Sequence, residues 1–331
     1  MVKTNKIKVH YVCGGIGEPG KGQVWGGTVA TNYTIKQAFK DSKDVDLVIK
    51  PRNAFNDISE VRDWINLGDV SWVDDASMLQ VMFISGMKRP DIIGPISRSP
   101  VKRYNEGKWE SLYNKNWFYD GVVLRLNENE ERPLILKDEF KGTDWVKKVS
   151  FIRHAIDLEQ WKPSDFIVNK KYVLWAGMKA RPAKNYDMFD EIMRITTLPE
   201  GYEFKVLDKY AIDTYNMVLD DTAILVNTSK YESFCNVVNE ARAKGVCTLV
   251  QKKFNGDYMF TDQPIQLKYD AKVYSKKIME KLSDDITPIT LGEEAREWAE
   301  KNISLDVMRK DITKQIKKVW KKKVSNNDKL N

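Results

Sequence analysis

The sequence predicts an α/β protein built from two doubly wound, parallel-sheet domains that meet near residue 150. Short apolar runs alternate with helical patterns before that point, and a second alternating series follows it. The chain has 331 residues, enough for two separate cores. In TAILVNT the apolar residues Ile224, Leu225 and Val226 are consecutive, as expected of a strand covered on both faces.

Each element follows in order. IKVHYVC, Ile7 to Cys13, reads as a first buried strand, with His10 in a structural role. The loop GGIGEPGKGQVWGG, Gly14 to Gly27, is dense enough in glycine to bring backbone close to a ligand. A helix is expected from about Thr28 to Lys40, and VDLVIK, Val45 to Lys50, as a second strand. DASMLQVMFISGM suggests a helix ending near Gly86, then a short strand or turn at DIIGPI and a strand in DGVVLRL, Asp120 to Leu126. Between these last two lies PISRSPVKRYNEGKWESLYNKNWF, which is loop-like, basic and aromatic. Beyond Val149 come KYVLWAG (strand), YDMFDEIMRI (helix), YEFKVLD and TAILVNT (strands), NVVNEARAK (helix) and CTLVQ (strand). AREWAEKNISLDVMRKDITKQIKKVW reads as one closing helix. The expected domains are residues 1–150, 151–305, and a C-terminal helix and basic tail over 306–331.

With 42% hydrophobic and 31% charged residues, the composition is that of an ordinary globular protein. No apolar run is long enough to span a bilayer, and MVKTNKIKVHYVC has no signal-peptide pattern, so a cytoplasmic location is expected, in a host cell if the protein is viral. Cys13, Cys235 and Cys247 lack metal-ligand spacing and suit a reducing compartment. Two histidines, His10 and His154, argue against a His-rich metal site or a Ser–His–Asp triad. The net charge is +7, with much of the excess in KDITKQIKKVWKKK, Lys310 to Lys323. Such a run either attracts a polyanion, nucleic acid or an anionic membrane, or complements the dipole at a helix C-terminus.

The stretch YESFCNVVNEARAKG, Tyr231 to Gly245, carries the most chemistry. A loop that leaves a buried strand at its C-terminal end and opens a helix is where α/β proteins bind ligands. The amides of Ser233, Phe234, Cys235, Asn236 and Val237 would form an anion site at that helix start. Glu232 before the turn would accept hydrogen bonds from a polyol, and Glu240 a turn later from a ribose. An ordinary amphipathic helix with two solvated glutamates is the alternative.

This stretch resembles the E-x7-E motif of retaining, nucleotide-sugar-dependent glycosyltransferases of the GT-B fold, of the glycosyltransferase family 4 type. The resemblance continues through Ala241 and Gly245 (E-A-x-A-x-G) and departs at Cys235, where the family has Gly, and at Cys247, where it has Pro. It implies that Glu232 holds donor-sugar hydroxyls and Glu240 the nucleotide ribose. In WAGMKARPAKN the family's G-R and K-N elements correspond to Gly177 and to Lys184–Asn185, the cation neutralising the donor diphosphate as it leaves. Met178 stands where the family has Arg, so Arg181 or Lys179 would supply that charge. Gly26 and Gly27 match the family's paired glycines, whose amides, with that of Thr28, would face the donor phosphate. In VSFIRHAIDLEQWKPSD, Ile156, Asp157, Trp161 and Pro163 match the interdomain segment. The implied fold is two Rossmann-like domains with an interdomain cleft and a C-terminal helix that crosses back to the first.

On the acceptor side, expected in the first domain, Arg98, Lys102 and Arg103 interleave with Tyr104, Trp109, Tyr113, Trp117 and Tyr119. Asp74, Asp75 and Asp120 are the candidate acids or bases. The reaction implied is retaining transfer from a nucleoside diphosphate sugar, such as a UDP-sugar, with no cofactor and no required metal. A hydroxylated base in DNA, as for glycosyltransferases of bacterial viruses, is the leading acceptor. A lipid-linked or polysaccharide acceptor is its rival, and a non-catalytic nucleotide-sugar-binding module is the reading from another class. No clean G-x-G-x-x-G is present, which disfavours a nucleotide-dependent oxidoreductase.

Overall fold

A computed structural model of the chain describes residues 6–17, 27–74, 76–96, 122–126, 149–164, 170–230, 235–251, 265–284 and 286–328. Two compact units emerge. Among the described residues, the first contains those up to His154 together with those from Leu305 onward, and the second contains those from Ala155 to Ser304.

The first unit is a six-stranded parallel sheet in the order β2-β1-β3-β4-β5-β6. Its strands are β1 (Ile7–Cys13), β2 (Val45–Pro51), β3 (Val70–Val73), β4 (Ile92–Ile96), β5 (Val122–Leu126) and β6 (Val149–Ile152). From Val9 to Cys13 every β1 residue is buried, because both faces of the strand are covered. Its helices are α1 (Gly27–Phe39), α2 (Ile58–Ile65), α3 (Ala76–Ile84) and the C-terminal α9 (Leu305–Asp328). The expected strands and helices of this region are present. The sequence reading passed over α2 and β3, which follow an N-cap at Asp57 whose carboxylate accepts from the Ser59 and Glu60 amides.

The second unit is a five-stranded parallel sheet in the order β11-β10-β9-β7-β8. Its strands are β7 (Tyr172–Gly177), β8 (Glu203–Asp208), β9 (Thr222–Val226), β10 (Cys247–Gln251) and β11 (Ile265–Leu267). Its helices are α4 (Tyr186–Ile195), α5 (Ile212–Asp220), α6 (Asn236–Ala243), α7 (Ala271–Lys281) and α8 (Ile286–Asn302). Alternate residues feed two cores. Val173, Trp175, Ile224 and Val226 pack with Phe189 and Ile192 of α4 and Tyr274 and Ile278 of α7. Leu174, Ala176 and Leu225 pack with Tyr215 of α5, Val238 of α6 and Ala299 of α8. Burial on both faces is why β7, β9 and β10 are apolar at nearly every position; each such side chain contributes about 1.5–3 kcal/mol.

One expectation is corrected. The closing segment is two helices, not one: α8 ends at Asn302 and α9 begins at Leu305. Ile303 turns inward, 1% exposed, and its carbonyl accepts the Ile156 amide at 2.8 Å. That carbonyl is thereby taken from the helical ladder, and the chain passes from the second unit back to the first just beyond it. The dipole reading of the basic run is also corrected. The helix extends to Asp328, and its last turn holds no basic residue.

Candidate functional site

In an open parallel sheet, ligands bind beyond the carboxyl ends of the strands, where the strand order reverses. In the second unit that reversal falls at β7, which pairs β8 on one side and β9 on the other. The loops leaving β7 (178–185) and β9 (227–235) therefore flank it.

Hydrogen bonds lock these two loops together. The Lys230 amide donates to the Ala183 carbonyl at 2.8 Å. Thr228, fully buried, donates from Oγ1 to the Lys184 carbonyl at 3.0 Å and accepts from Trp175 Nε1 at 2.9 Å. Tyr269, at the end of β11, donates to the Thr228 carbonyl at 2.9 Å while Asn185 Nδ2 donates to the tyrosine oxygen at 2.5 Å. Gln251, ending β10, donates to the Ser229 and Lys230 carbonyls at 2.9 and 2.7 Å. Four strand ends thus converge on one rigid rim, satisfying the buried polar groups that bare loop backbone would otherwise leave unpaired.

Two backbone positions on this rim are left-handed. Asn185 has φ 47° and Cys235 has φ 54°. Asparagine tolerates that region better than most side chains, which gives Asn185 a conformational reason. Cys235, standing where the resembled family has Gly, occupies a conformation that costs a side chain about 1–2 kcal/mol. Its thiol is 4% exposed, with Asn227 Nδ2 at 3.3 Å from the sulfur.

Cations surround the rim. Lys184 ends the 3-10 turn Pro182–Lys184 and is half-buried, and Arg181 caps that turn and is exposed. Lys179 places its ammonium 4.2 Å from the Tyr186 ring centre, and its amide donates to Asp208 Oδ1 at 2.9 Å. Lys209 and Lys230 add two more on the loops after β8 and β9. Gly177 ends β7, and Met178 beside it is 41% exposed.

Asn236 and Val237 open α6, presenting the first two helix amides, which have no intrahelical acceptor. Glu240 lies one turn on and is 3% exposed; its charge helps burial raise the Tyr215 hydroxyl well above its ordinary range. The helix closes at Gly245, φ 73°, with Val246 donating to Ala241 and Gly245 to Arg242, a Schellman cap that explains the glycine of the motif. Lys184, Asn185, Arg181, Gly177, Cys235, Asn236 and Val237 are therefore all carried by the loops and helix start that flank the reversal. Gly27 and Thr28 begin α1 in the first unit. Glu232, Ser233, Phe234, Gly26, Asp75, Asp120, Arg98, Lys102 and Arg103 lie outside the described residues.

The first unit has its own reversal at β1, which pairs β2 and β3. Asp74, directly after β3, accepts the Gly14 amide at 2.9 Å on Oδ1. The buried Tyr11 hydroxyl is shared between Asp74 Oδ2 at 2.6 Å and Asn32 Oδ1 at 2.7 Å. Burial first, and then the Asp74 charge, push the Tyr11 hydroxyl well up, so it remains a donor. Of the three weighed aspartates, Asp74 is the one the described residues place at a strand end. Sequence reasoning missed Thr228, Tyr269 and Gln251. Their bonds reach between strand ends that are distant in sequence, so no local pattern announces them.

Among the described residues no group of His, Cys, Asp or Glu is arranged to hold a metal ion. No helix among them is long and apolar enough to cross a membrane.

A scan against protein-family models and a search of curated protein sequences find no match. Solved structures do match. Anabaena Alr3699/HepE, crystallised with UDP and glucose, has a TM-score of 0.65 at 11% identity, covering 94% of this chain and 100% of its own. Sucrose-phosphate synthase from Thermosynechococcus elongatus has a TM-score of 0.67 at 11% identity, covering 95% and 99%. AviGT4, a glycosyltransferase involved in avilamycin A biosynthesis, has a TM-score of 0.59 at 12% identity, covering 95% and 98%. Two doubly wound parallel sheets in chain order, matched over nearly their full length by glycosyltransferases of one architecture, give this chain the GT-B fold.

Proposed function

We propose that the protein is a retaining glycosyltransferase that moves a sugar from a nucleoside diphosphate sugar to a hydroxylated base in DNA. The observation that supports the donor half is the locked rim at the β7 reversal, whose loops carry Lys184 and Arg181 and lead into the start of α6. That arrangement suits a diphosphate: fixed cations and helix amides stabilise charge that grows on the leaving phosphate, without need of a metal. Glu240 would hold the ribose and Glu232 the sugar hydroxyls. HepE is crystallised with UDP-glucose, which favours a UDP-sugar here. In the step itself, the bond from the anomeric carbon to the diphosphate oxygen breaks, the acceptor oxygen bonds to the same face, and the departing phosphate takes the acceptor proton. The first unit would handle the acceptor.

A non-catalytic nucleotide-sugar binder is the second reading, favoured by Met178, exposed where the resembled family has arginine. A thermal-shift screen tests the donor half. A UDP-sugar at 100 times its Kd should stabilise the protein by about 2.7 kcal/mol, and Lys184→Ala should lose that rise while keeping its unliganded Tm. No shift with any nucleoside diphosphate or its sugars would remove the reading. Slow hydrolysis of the bound donor separates the enzyme from the binder.

A further inference from the structure

We propose that the groove between the α1–β2 turn and helix α9 is a docking surface for the phosphate backbone of duplex nucleic acid. The proposal rests on the first unit alone and stands whether or not the donor reading holds.

The groove encloses about 810 Å³. Its floor is formed by Ser42 and Thr313, both buried. Along one wall run Lys310, Lys314, Lys317 and Lys321, spaced four, three and four residues apart and so aligned on one face of α9. At 1.5 Å per residue that row is about 16 Å long, the axial rise of about five phosphates on one DNA strand. Lys318 and Arg309 flank the row, and Lys43 faces it from the turn. Seven basic side chains therefore confront two acidic ones, Asp41 and Asp44.

The acids do not neutralise the row. Lys317 pairs with Asp44 at 3.0 Å, and Arg309 with Asp306 at 2.7 Å. Lys43, Lys310, Lys314, Lys318 and Lys321 are exposed and make no ion pair among the described residues. Lysines four apart on a helix repel one another, so a row of them held without counter-charge is unfavourable until an anion arrives. The helix dipole does not explain the row. Its influence is confined to the last turn, and these lysines start in the second turn of a 24-residue helix.

The helix is held firmly. Met308, Ile312 and Ile316, each 0% exposed, and Val319 bury its apolar face. Arg153 clasps Asp311 with two bonds of 2.9 Å, and Lys323 bonds to Asp91 at 2.9 Å. That anchoring favours nucleic acid over an anionic membrane. A helix that lies in a bilayer surface inserts its apolar face, and this one has already spent it on the core. Val324, 40% exposed, is the one large apolar residue of α9 among the exposed ones described. A concave groove also fits a ridge of phosphates better than a plane of headgroups.

The test uses the full chain and a fluorescein-labelled 20-base-pair duplex, with binding followed by anisotropy across a salt series. The variant K310E/K314E/K321E is compared with K272E/K276E/K301E, which reverses three lysines of the second unit; each takes the net charge from +7 to +1. Both variants are first shown to keep the wild-type Tm. The salt slope of log K changes by about 0.9 per phosphate neutralised, so the groove variant should lose a slope of about 3 and at least 10-fold in affinity, and the control should lose much less. Equal losses in both variants, or no duplex binding by the wild type at low salt, would overturn the proposal. Sedimentation with phosphatidylserine vesicles that is lost in the groove variant, with duplex binding unchanged, would overturn it in favour of a membrane.

Discussion

Replacing Gly292 by alanine should destabilise the second unit more than any other single added methyl group described here. Gly292 lies in α8 against the turn that closes α6. A Cβ built on it would sit 2.1 Å from the Gly245 carbonyl oxygen and 2.8 Å from its carbon. Ordinary contact begins near 3.4 Å, so helix and turn must part by about 1.3 Å, and both obstacles are backbone atoms with no rotamer to escape into. Parting them lifts Ala299, 0% exposed, away from the core that it shares with Val238 and Trp161. Overpacking of this kind costs about 1–3 kcal/mol, and the depth of this overlap places G292A at or above the upper figure. G245A is the internal control. Its Cβ has room, with nothing nearer than 3.6 Å, and it meets only the left-handed backbone penalty of about 1–2 kcal/mol. The assay is urea unfolding followed by tryptophan fluorescence, with midpoints compared at unchanged m value. If G292A lies within about 0.5 kcal/mol of wild type, or is milder than G245A, the packing argument for this junction is wrong.

Two further outcomes are expected. His10 is buried, its Nδ1 donates to the Trp64 carbonyl at 2.6 Å, and Nε2 meets no partner among the described residues, so burial lowers its pKa below 6.5. The unfolded chain therefore binds more protons just below that pH, and wild-type Tm should fall from pH 7 to pH 5 more steeply than that of His10→Gln; equal slopes would refute this. The thiols of Cys13, Cys235 and Cys247 are all buried, and burial pushes Cys247 up to about 12. A thiol reagent at pH 8 should find none in the native protein and three in urea, and a single fast native thiol would contradict the packing.

How far the fold was legible depended on burial. Strands β7 and β9 are the clearest, because their apolar residues run together; β1, β2, β5, β8 and β10 read as strands too, although a polar or charged residue interrupts each run. The elements passed over carry weaker patterns. Strand β3 is only four residues, VSWV, with a serine inside it, and β11 only three. Helix α5, IDTYNMVLD, mixes Asp, Thr and Asn into its apolar spacing, residues that compete for backbone bonds and so blur the period. The break at Ile303 has no glycine or proline to announce it, and its cause is a carbonyl borrowed by Ile156, far away in sequence. The site shows the same division. Lys184 and Asn185 stand out only through the family resemblance, whereas the start of α6 follows from the local strand–loop–helix pattern. The Thr228, Tyr269 and Gln251 bonds join four strand ends, a long-range fact with no local trace. Cys235 could be noted as departing from glycine, but only its φ of 54° shows what that departure strains.

The rim at the β7 reversal separates two jobs that proteins often mix. Its shape is maintained by inward-facing groups, Trp175, Thr228 and Gln251, whose partners are chiefly main-chain carbonyls. The side chains of Met178, Arg181 and Lys230 point outward and take no part in that bracing. Substitutions at these outer positions therefore leave the framework intact, so divergent descendants of such a scaffold would differ first there and last at the brace.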